Sequence, residues 1–249
     1  FNNETYGLTK GQYSPTSRPG TRSPSSPTGS VDSPFIPCVL ALGAGANFVA
    51  RGVDTAVKEL TSTFKRARAF PGTSFVEIFQ NCIVYNDKVF SNFTDRELSS
   101  ERQVVLEHDA PLLFGSGKNK GLRFDPSRVQ IEVVEIGRDG ISESDILIHD
   151  ETNRTLAALL AAMQPPHHPM AIGVLYRNPV ATYESQVYGP IKKYIQENGG
   201  AYVVAPRSKL EAGSIAQKDN KLYARNNEPL FVGTDILKFG KTILYFTSA

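Results

Sequence analysis

Hydrophobic positions along this chain alternate between short continuous runs, typical of buried strands, and the three- to four-residue spacing of helices. The runs predict strands at 47–51, 74–80, 129–136, 145–149 and 170–176, and shorter runs suggest β-hairpins at 229–232 and 242–246. The helical spacing predicts helices at 37–45, 54–70, 95–106, 152–163 and 183–198. Strands that alternate with helices favour an α/β fold, here a doubly wound parallel sheet with helices on both faces.

The helix predicted at 54–70 has the clearest pattern. Its apolar face is expected to consist of Val57, Leu60, Phe64 and Ala67. Asp54 or Thr55 is the predicted N-terminal cap. The strand that follows ends just before Cys82, so we expect Cys82 at the sheet edge where ligands gather in open α/β sheets.

Changes in composition divide the chain into three predicted segments. Residues 1–128 and 129–200 carry the α/β pattern, and residues 201–249 form a C-terminal extension. Within the first segment, residues 14–30 consist mainly of Ser, Pro, Gly and Thr. That composition fits a flexible linker, but proline rings and hydroxyl hydrogen bonds also allow a rigid loop without regular structure.

Composition narrows the class of protein without naming a function. The 249 residues carry a formal net charge of +2, with cations and anions interspersed, which favours neither nucleic acid nor a membrane surface as partner. No apolar run approaches the roughly 20 residues that span a bilayer. Two cysteines, Cys38 and Cys82, make no disulfide framework and favour a reducing compartment, so we expect a cytoplasmic protein.

Residues 2–12, which read NNETYGLTKGQ, carry the most distinctive chemistry. The segment combines an amide pair, two threonines, a turn glycine and one lysine with a central leucine. Amide oxygens, hydroxyls and backbone groups are the partners that a divalent metal and a diphosphate require. From these residue types alone, an ordinary polar turn is the alternative.

This segment and the YSPTS that follows it resemble the thiamine-diphosphate-binding loop in the beta subunits of 2-oxoacid:ferredoxin oxidoreductases, in the form typical of members that use 2-oxoglutarate. The resemblance implies that the side chain of Asn3 and the backbone carbonyl of Thr5 bind Mg²⁺. It also implies that three further residues contact thiamine diphosphate: Tyr6, Leu8 and Thr9. In the family, the leucine position lies beneath the cofactor rings and the second threonine position contacts the diphosphate.

Lys10 carries what the resemblance implies about the substrate. Relatives that use pyruvate tend to have glycine at this position, whereas a lysine can pair with the distal carboxylate of 2-oxoglutarate. Relatives also carry a similar Pro-, Thr- and Ser-rich stretch after the loop. The resemblance therefore favours an ordered loop at 14–30.

Cys82 lies in QNCIVYN, a segment similar to the one that holds the last of four thiolate ligands to a [4Fe–4S] cluster in that family. By residue type alone, a lone cysteine is usually a small buried hydrophobe, which is our interpretation of Cys38. A [4Fe–4S] cluster takes about four thiolates, and this chain has 2 cysteines. In the family, the other three cysteines and a metal-binding Gly-Asp-Gly precede the loop. We therefore expect an N-terminal segment that is cleaved, supplied by another polypeptide or missing from this sequence.

The resemblance implies an oxidoreductase subunit for coenzyme A-dependent oxidative decarboxylation of 2-oxoglutarate to succinyl-coenzyme A and CO₂. Electrons would pass through a [4Fe–4S] cluster to ferredoxin, and an alpha subunit would complete the enzyme. Two alternatives stay open. The substrate could be pyruvate or a branched 2-oxoacid, or the chain could be a non-catalytic assembly subunit that keeps the fold without its N-terminal half.

Overall fold

The computed structural model describes residues 1–198 and the strand segments 201–206, 215–218, 221–224 and 242–247. The chain forms two compact units, Phe1–Val180 and Ala181–Ala249. The segment boundaries predicted after residues 128 and 200 stay predictions. Within the described residues, no helix is both long and apolar enough to cross a membrane.

The first unit contains short strands and helices in alternation. Its strands are β1 (Thr5–Tyr6), β2 (Gln12–Tyr13), β3 (Phe48–Val53), β4 (Phe75–Phe79), β5 (Gln103–Leu106), β6 (Leu113–Phe114), β7 (Lys120–Asp125), β8 (Gln130–Glu135) and β9 (Met170–Arg177). Its helices are α1 (Pro37–Gly43), α2 (Val57–Ala69), α3 (Ser91–Thr94), α4 (Arg96–Arg102) and α5 (Arg154–Ala162).

The second unit begins with α6 (Tyr183–Asn198), which has the predicted bounds. Its described strands are β10 (Ala201–Pro206), β11 (Ile215–Lys218), β12 (Lys221–Ala224) and β13 (Thr242–Thr247). β10 pairs with β13 and β11 pairs with β12, both in antiparallel orientation. The strand predicted at 242–246 is confirmed, and the one predicted at 229–232 lies outside the described residues.

The central sheet of the first unit has the strand order β4-β3-β9-β5. β3 is parallel to β4 and β5 is parallel to β9, but β9 is antiparallel to β3. Helices α1 and α5 pack on one face and α2 packs on the other. The predicted α/β class with helices on both faces is confirmed, but the sheet is mixed rather than parallel as predicted. The direction of β9 could not be read from its apolar run, because a strand buried on both faces has the same pattern in either direction.

Helix α2 buries only part of the predicted face: Leu60 and Ala67 are partly buried against the sheet, but the other two predicted residues are not. Val57 and Phe64 are 68% and 45% exposed, while Thr63 is buried. The predicted cap is also wrong, because Ala56 precedes the helix and offers no side-chain hydrogen bond. Tertiary packing against the sheet, rather than the helix pattern alone, decides which stripe faces inward.

The helix predicted at 95–106 is correct only in its first half. It ends at Arg102, and the chain continues as β5 at the edge of the central sheet. Val104 and Leu106 are buried while Val105 is 48% exposed, which is the alternation of a strand. Two adjacent β-branched valines favour the extended backbone over another helical turn.

Residues 113–135 form a separate three-stranded antiparallel sheet with the order β6-β7-β8. The strand predicted at 129–136 is confirmed as β8. The strand predicted at 145–149 is wrong: Glu143–Asp145 is a 3-10 turn, and beyond it only an isolated bridge joins Ile148 to Pro111. That bridge and the apolar residues around it close the core beneath the small sheet.

The Pro- and Ser-rich residues 14–30 form an ordered loop, as the resemblance implied. The amide of Gly20 donates to the carbonyl of Ser30 at 2.7 Å and closes the loop at its base. Ser14 and Ser17 are buried. The flexible-linker alternative is therefore wrong, because hydroxyl side chains replace the hydrogen bonds that regular structure would supply.

Candidate functional site

The amino-terminal loop leaves the central sheet at the carboxyl end of β4. Asn2 forms a parallel bridge with Phe79. Its amide donates to the carbonyl of Ile78 at 2.7 Å, and its carbonyl accepts from the amide of Gln80 at 3.0 Å. The loop therefore emerges at the edge where open α/β sheets bind ligands.

β1 and β2 then form a two-stranded antiparallel hairpin. The amide of Gly11 donates to the carbonyl of Tyr6 at 3.0 Å, and the amide of Lys10 donates to that of Gly7 at 3.0 Å. Lys10 (φ 63°) and Gly11 (φ 92°) have left-handed backbone. This pair of turns projects residues 7–10 away from the sheet.

The side chains at the tip of the hairpin do not pack in the hydrophobic core. Leu8 is 98% exposed and Tyr6 is 50% exposed. The hydroxyl of Thr9 donates to the carbonyl of Tyr6 at 3.3 Å, which fixes that side chain near the tip. Lys10 is exposed and has no ion pair within the part of the chain that the structure describes. The exposed side chains of Leu8 and Lys10 are therefore accessible to a ligand.

The two asparagines at the start of the loop have different environments. Asn2 uses both ends of its side chain: Nδ2 donates to Glu77 Oε1 at 2.9 Å, and Oδ1 accepts from the hydroxyl of Thr16 at 2.8 Å and the amide of Glu4 at 3.1 Å. The side chain of Asn3 makes no hydrogen bond to any described residue. Asn3, not Asn2, therefore has an oxygen available to a ligand.

The chemistry of this donor set fits Mg²⁺ with a diphosphate. The free amide oxygen of Asn3 is a hard ligand of the kind Mg²⁺ prefers. Thr5 is buried at the base of the hairpin, and its hydroxyl donates to the carbonyl of Gln12 at 3.2 Å, which holds its backbone in place. A cavity of about 400 Å³ lies beside these residues, between the loop and β4.

The turn that carries Cys82 packs directly against this hairpin. The amide of Asn86 donates to the carbonyl of Cys82 at 2.9 Å and closes the turn. The side chain of Asn86 donates to the carbonyl of Asn3 at 3.1 Å. At Gly11, an added Cβ would lie 2.9 Å from Tyr85 Cδ1, so the glycine allows the close approach. The structure thus brings the two predicted segments, 70 residues apart in sequence, into one site.

The cysteines form no complete iron–sulfur site within the part of the chain that the structure describes. Cys82 is partly buried, and the described residues contain no group of three or more side chains able to hold a metal. Cys38 is fully buried in the core, as interpreted from its residue type. Burial raises the pKa of the Cys38 thiol to about 12, so it is a poor thiolate ligand. A cluster at Cys82 therefore does not fit the residues present here without further ligands.

Sequence reasoning missed two buried charges that support the loop. Arg51 and Glu77 lie opposite each other on β3 and β4, and they form an ion pair of 3.1 Å with side chains 0% and 3% exposed. A signal existed in the sequence, because each residue interrupts an apolar run that predicts a buried strand. Charged residues are almost never fully buried unless paired, so the two interruptions could have indicated a buried ion pair.

Glu4 is a third buried acidic residue, at the turn of the loop. Burial raises the pKa of its carboxyl group, and Arg18, whose Nε lies 3.5 Å from Glu4 Oε2, opposes that shift. Arg18 also donates to the carbonyl of Val89 at 2.8 Å. Through Arg18, the ordered loop at 14–30 is fastened to the hairpin and to the turn that follows Cys82.

Comparison with known proteins defines the class first. Residues 1–78 match the family described as thiamine pyrophosphate enzyme, C-terminal TPP binding domain. The matched residues contain the whole hairpin and β3, with most of β4. The amino-terminal part of the chain is therefore similar to the cofactor-binding domain of thiamine-diphosphate enzymes.

The similar curated proteins narrow that class. The 2-oxoglutarate oxidoreductase subunit KorB of Mycobacterium tuberculosis is 41% identical over 150 residues, which are 60% of this chain and 39% of the relative. The 2-oxoacid:ferredoxin oxidoreductase subunit beta of Saccharolobus solfataricus is 38% identical over 97 residues, which are 39% of this chain and 32% of the relative. The predicted resemblance to the beta subunits of 2-oxoacid:ferredoxin oxidoreductases is confirmed. The chain spans less than half the length of these relatives.

A solved structure shares the fold. The 2-oxoglutarate:ferredoxin oxidoreductase from Magnetococcus marinus, with 2-oxoglutarate, coenzyme A and succinyl-CoA bound, matches with a TM-score of 0.52 and 23% identity. The match covers 78% of this chain and 50% of that chain. At this level of identity, the similarity supports the α/β architecture described above.

Proposed function

We propose that this chain is the cofactor-binding part of a 2-oxoacid:ferredoxin oxidoreductase beta subunit that acts on 2-oxoglutarate. The proposed reaction yields succinyl-coenzyme A and CO₂, and its electrons leave through a [4Fe–4S] cluster to ferredoxin. The observation that carries the proposal is the hairpin at the end of β4. The side chains of Asn3, Leu8 and Lys10 make no hydrogen bond or ion pair to any described residue, and the hairpin packs on the turn of Cys82. The domain match supports thiamine diphosphate, and the names of the relatives support the 2-oxoacid.

In this proposal, the hairpin residues bind and orient the cofactor. Asn3 Oδ1 and the Thr5 carbonyl hold Mg²⁺, Thr9 and Tyr6 line the diphosphate side, and Leu8 gives apolar support beneath the rings. Bound thiamine diphosphate supplies the electron sink that decarboxylation of a 2-oxoacid requires. The protein contributes position, charge and exclusion of water, and no side-chain nucleophile is assigned.

Lys10 gives the proposed site its preference for a dicarboxylate. Its side chain is exposed at the tip of the hairpin and makes no ion pair to a described residue. A charge-assisted hydrogen bond to the distal carboxylate of 2-oxoglutarate would use that free ammonium group. Pyruvate has no second carboxylate, so it would gain nothing from Lys10.

The proposed cluster needs ligands beyond the two cysteines of this sequence. The chain has 2 cysteines, and the buried thiol of Cys38 faces the core. Cys82 would therefore supply one thiolate, with about three more from outside these 249 residues. An alpha subunit is the partner proposed for completing the substrate and coenzyme A contacts. A cytoplasmic location is part of the same proposal.

The direct test is to purify the native assembly that contains this chain. Iron, acid-labile sulfide and thiamine diphosphate are measured per copy, and ferredoxin reduction is followed with 2-oxoglutarate or pyruvate in the presence of coenzyme A. We expect bound cofactor, about four irons per copy and a preference for 2-oxoglutarate. An assembly with cofactor that prefers pyruvate would correct the substrate. An assembly with neither iron nor cofactor would refute the enzyme and favour a non-catalytic assembly subunit.

A further inference from the structure

A series of hydrogen bonds connects the interior of the sheet with the candidate cofactor loop. Its inner end is Arg51, which is fully buried and donates from Nε to Glu77 Oε2 at 3.1 Å. Another nitrogen of Arg51 donates to the carbonyl of Ala161 at 3.0 Å, in the last turn of α5. That carbonyl has no partner within the helix, and a cation at a helix C-terminus is favourable. Arg51 is therefore fixed from two sides.

Glu77 divides its two oxygens between the core and the loop. Oε2 accepts from Arg51 and from the thiol of Cys38, which lies 3.2 Å away. Oε1 accepts from the side chain of Asn2 at 2.9 Å. A buried ion pair alone is weak evidence for stability, because apolar residues of similar size often serve as well. Apolar residues could not replace Glu77 in one respect, because its Oε1 also accepts a hydrogen bond from the loop.

Asn2 passes the constraint to the backbone of the loop. Its Oδ1 accepts from the amide of Glu4 at 3.1 Å, which is the geometry of an Asx-turn. Glu4 has a φ of 51°, in the left-handed region that residues other than glycine seldom adopt. The turn between Asn2 and Glu4 sets the direction of Asn3, whose side chain is the one left free.

Residues of the loop at 14–30 hold the same turn through further hydrogen bonds. Its Oδ1 also accepts from the hydroxyl of Thr16 at 2.8 Å. Next to Thr16, the hydroxyl of Ser17 donates to the carbonyl of Glu4 at 2.5 Å. Both the amide and the carbonyl of Glu4 are therefore held, and the left-handed turn is determined by its surroundings.

We propose that Glu77 is a positioning residue: through Asn2, its carboxylate holds the turn that points Asn3 toward the Mg²⁺–diphosphate group. This inference rests on the proposed function for the identity of the ligand. The geometric part does not, because it concerns how Glu77 and Asn2 hold the Glu4 turn. Outer partners that orient metal ligands typically change metal affinity by about 10- to 100-fold when removed.

The chain offers a matched pair of variants for the test. Asn2→Ala and Cys38→Ala each remove one donor to the Glu77 carboxylate, but only Asn2→Ala disconnects the loop. Glu77→Gln tests the carboxylate itself, and the double variant with Asn2→Ala tests whether the two act through one another. All variants are made in the native assembly. Binding of thiamine diphosphate with Mg²⁺ is measured by titration, and amide hydrogen exchange at Glu4 and Gly11 is measured without cofactor.

We expect Asn2→Ala to weaken cofactor binding by about 10- to 100-fold, to speed exchange at Glu4, and to keep kcat near that of the parent at saturating cofactor. Cys38→Ala leaves both affinity and exchange unchanged, and adding Glu77→Gln to Asn2→Ala causes little further loss of affinity. Equal effects of Asn2→Ala and Cys38→Ala, or unchanged exchange at Glu4, would overturn the inference. A parent assembly that binds no thiamine diphosphate would refute the proposed function, while amide exchange at Glu4 in Glu77→Gln still decides whether Glu77 holds the turn: faster exchange supports that role, and unchanged exchange overturns it.

Discussion

Replacing Gly11 by alanine tests the claim that the hairpin and the Cys82 turn form one site. Gly11 has a φ of 92°, and a Cβ there would lie 2.9 Å from Tyr85 Cδ1 and 3.3 Å from Tyr85 Cβ. The variant therefore has strained backbone and a steric clash at the same position. Tyr85 must move or the hairpin must open, and either response separates the two segments.

The expected magnitude is worked from the backbone strain alone, and the clash with Tyr85 adds to it. A residue with a Cβ in the left-handed region costs about 1–2 kcal/mol. A backbone forced into a sparsely populated conformation costs about 1–3 kcal/mol in total when its surroundings hold it there. If the ligand-binding form of the loop bears this cost, affinity for thiamine diphosphate falls by about 5- to 150-fold.

Gly7 provides the matched control, since it lies in the same hairpin with no atom within 4 Å of an added Cβ and no positive φ. Gly7→Ala should retain affinity, and loss of unfolded-state freedom stabilises such a variant by up to about 1 kcal/mol. The assays are cofactor titration of the native assembly and hydrogen exchange at the amide of residue 11, which closes the hairpin. Equal affinities of the two variants, or an unchanged exchange rate in Gly11→Ala, would refute the packing argument.

Four further predictions follow from single side chains. Lys10→Ala should raise the KM for 2-oxoglutarate by about 10- to 100-fold with little change for pyruvate; equal losses in steady-state assays would count against the assignment. Leu8→Ala should leave the thermal midpoint unchanged, because the side chain is 98% exposed, but weaken cofactor binding; a lower midpoint with unchanged affinity would contradict it. In iron-free assembly, Cys82 should react with iodoacetamide. Cys38 should react only on unfolding, because burial raises the pKa of its thiol to about 12. Labelling of Cys38 before unfolding, detected by mass spectrometry, would contradict this prediction. The hydrogen bond from Lys120 lowers the pKa of Glu101 from 4.5 to about 2, so its stabilising contribution is present above 4.5 and is lost as pH falls toward 2. Glu101→Gln should therefore flatten the pH dependence of unfolding in that window, and an unchanged slope would reject the pairing.

Much of the α/β pattern could be predicted because buried strands and helices have recognisable local patterns of apolar residues. The runs that became β3, β4 and β9 are apolar apart from one charged residue in each, and α5 and α6 have clear helical spacing. Which strands pair, and in which direction, produces no such local pattern. The antiparallel direction of β9 and the extension of α4 into β5 depend on partners distant in sequence. The same limit explains α2, where contact with the sheet rather than the helix pattern decides that Thr63 is buried.

The candidate site was predictable as chemistry but not as geometry. Resemblance pointed to Asn3, Leu8, Lys10 and Cys82, and the structure places all four around one hairpin and one turn. By contrast, the sequence gives no physical reason to prefer one of the two adjacent asparagines as the metal ligand, and that reason comes only from the contacts of Asn2. Those contacts reach Glu77 and Thr16, which are 75 and 14 positions away. Hydrogen bonds of that separation cannot be read from spacing.

Asn86 shows why the two halves of the candidate site are physically coupled. Its backbone amide closes the turn of Cys82 at 2.9 Å, and its side chain reaches the carbonyl of Asn3 at 3.1 Å. Displacing the turn therefore strains the hydrogen bond to the residue proposed to hold the metal, and displacing the hairpin strains the turn. A ligand at Asn3 or Cys82 would act on the other position through this contact to the extent that it binds one geometry of the contact better than another. The contact itself belongs to this chain's own fold, and it joins the positions proposed for the cofactor and the electron acceptor through one asparagine.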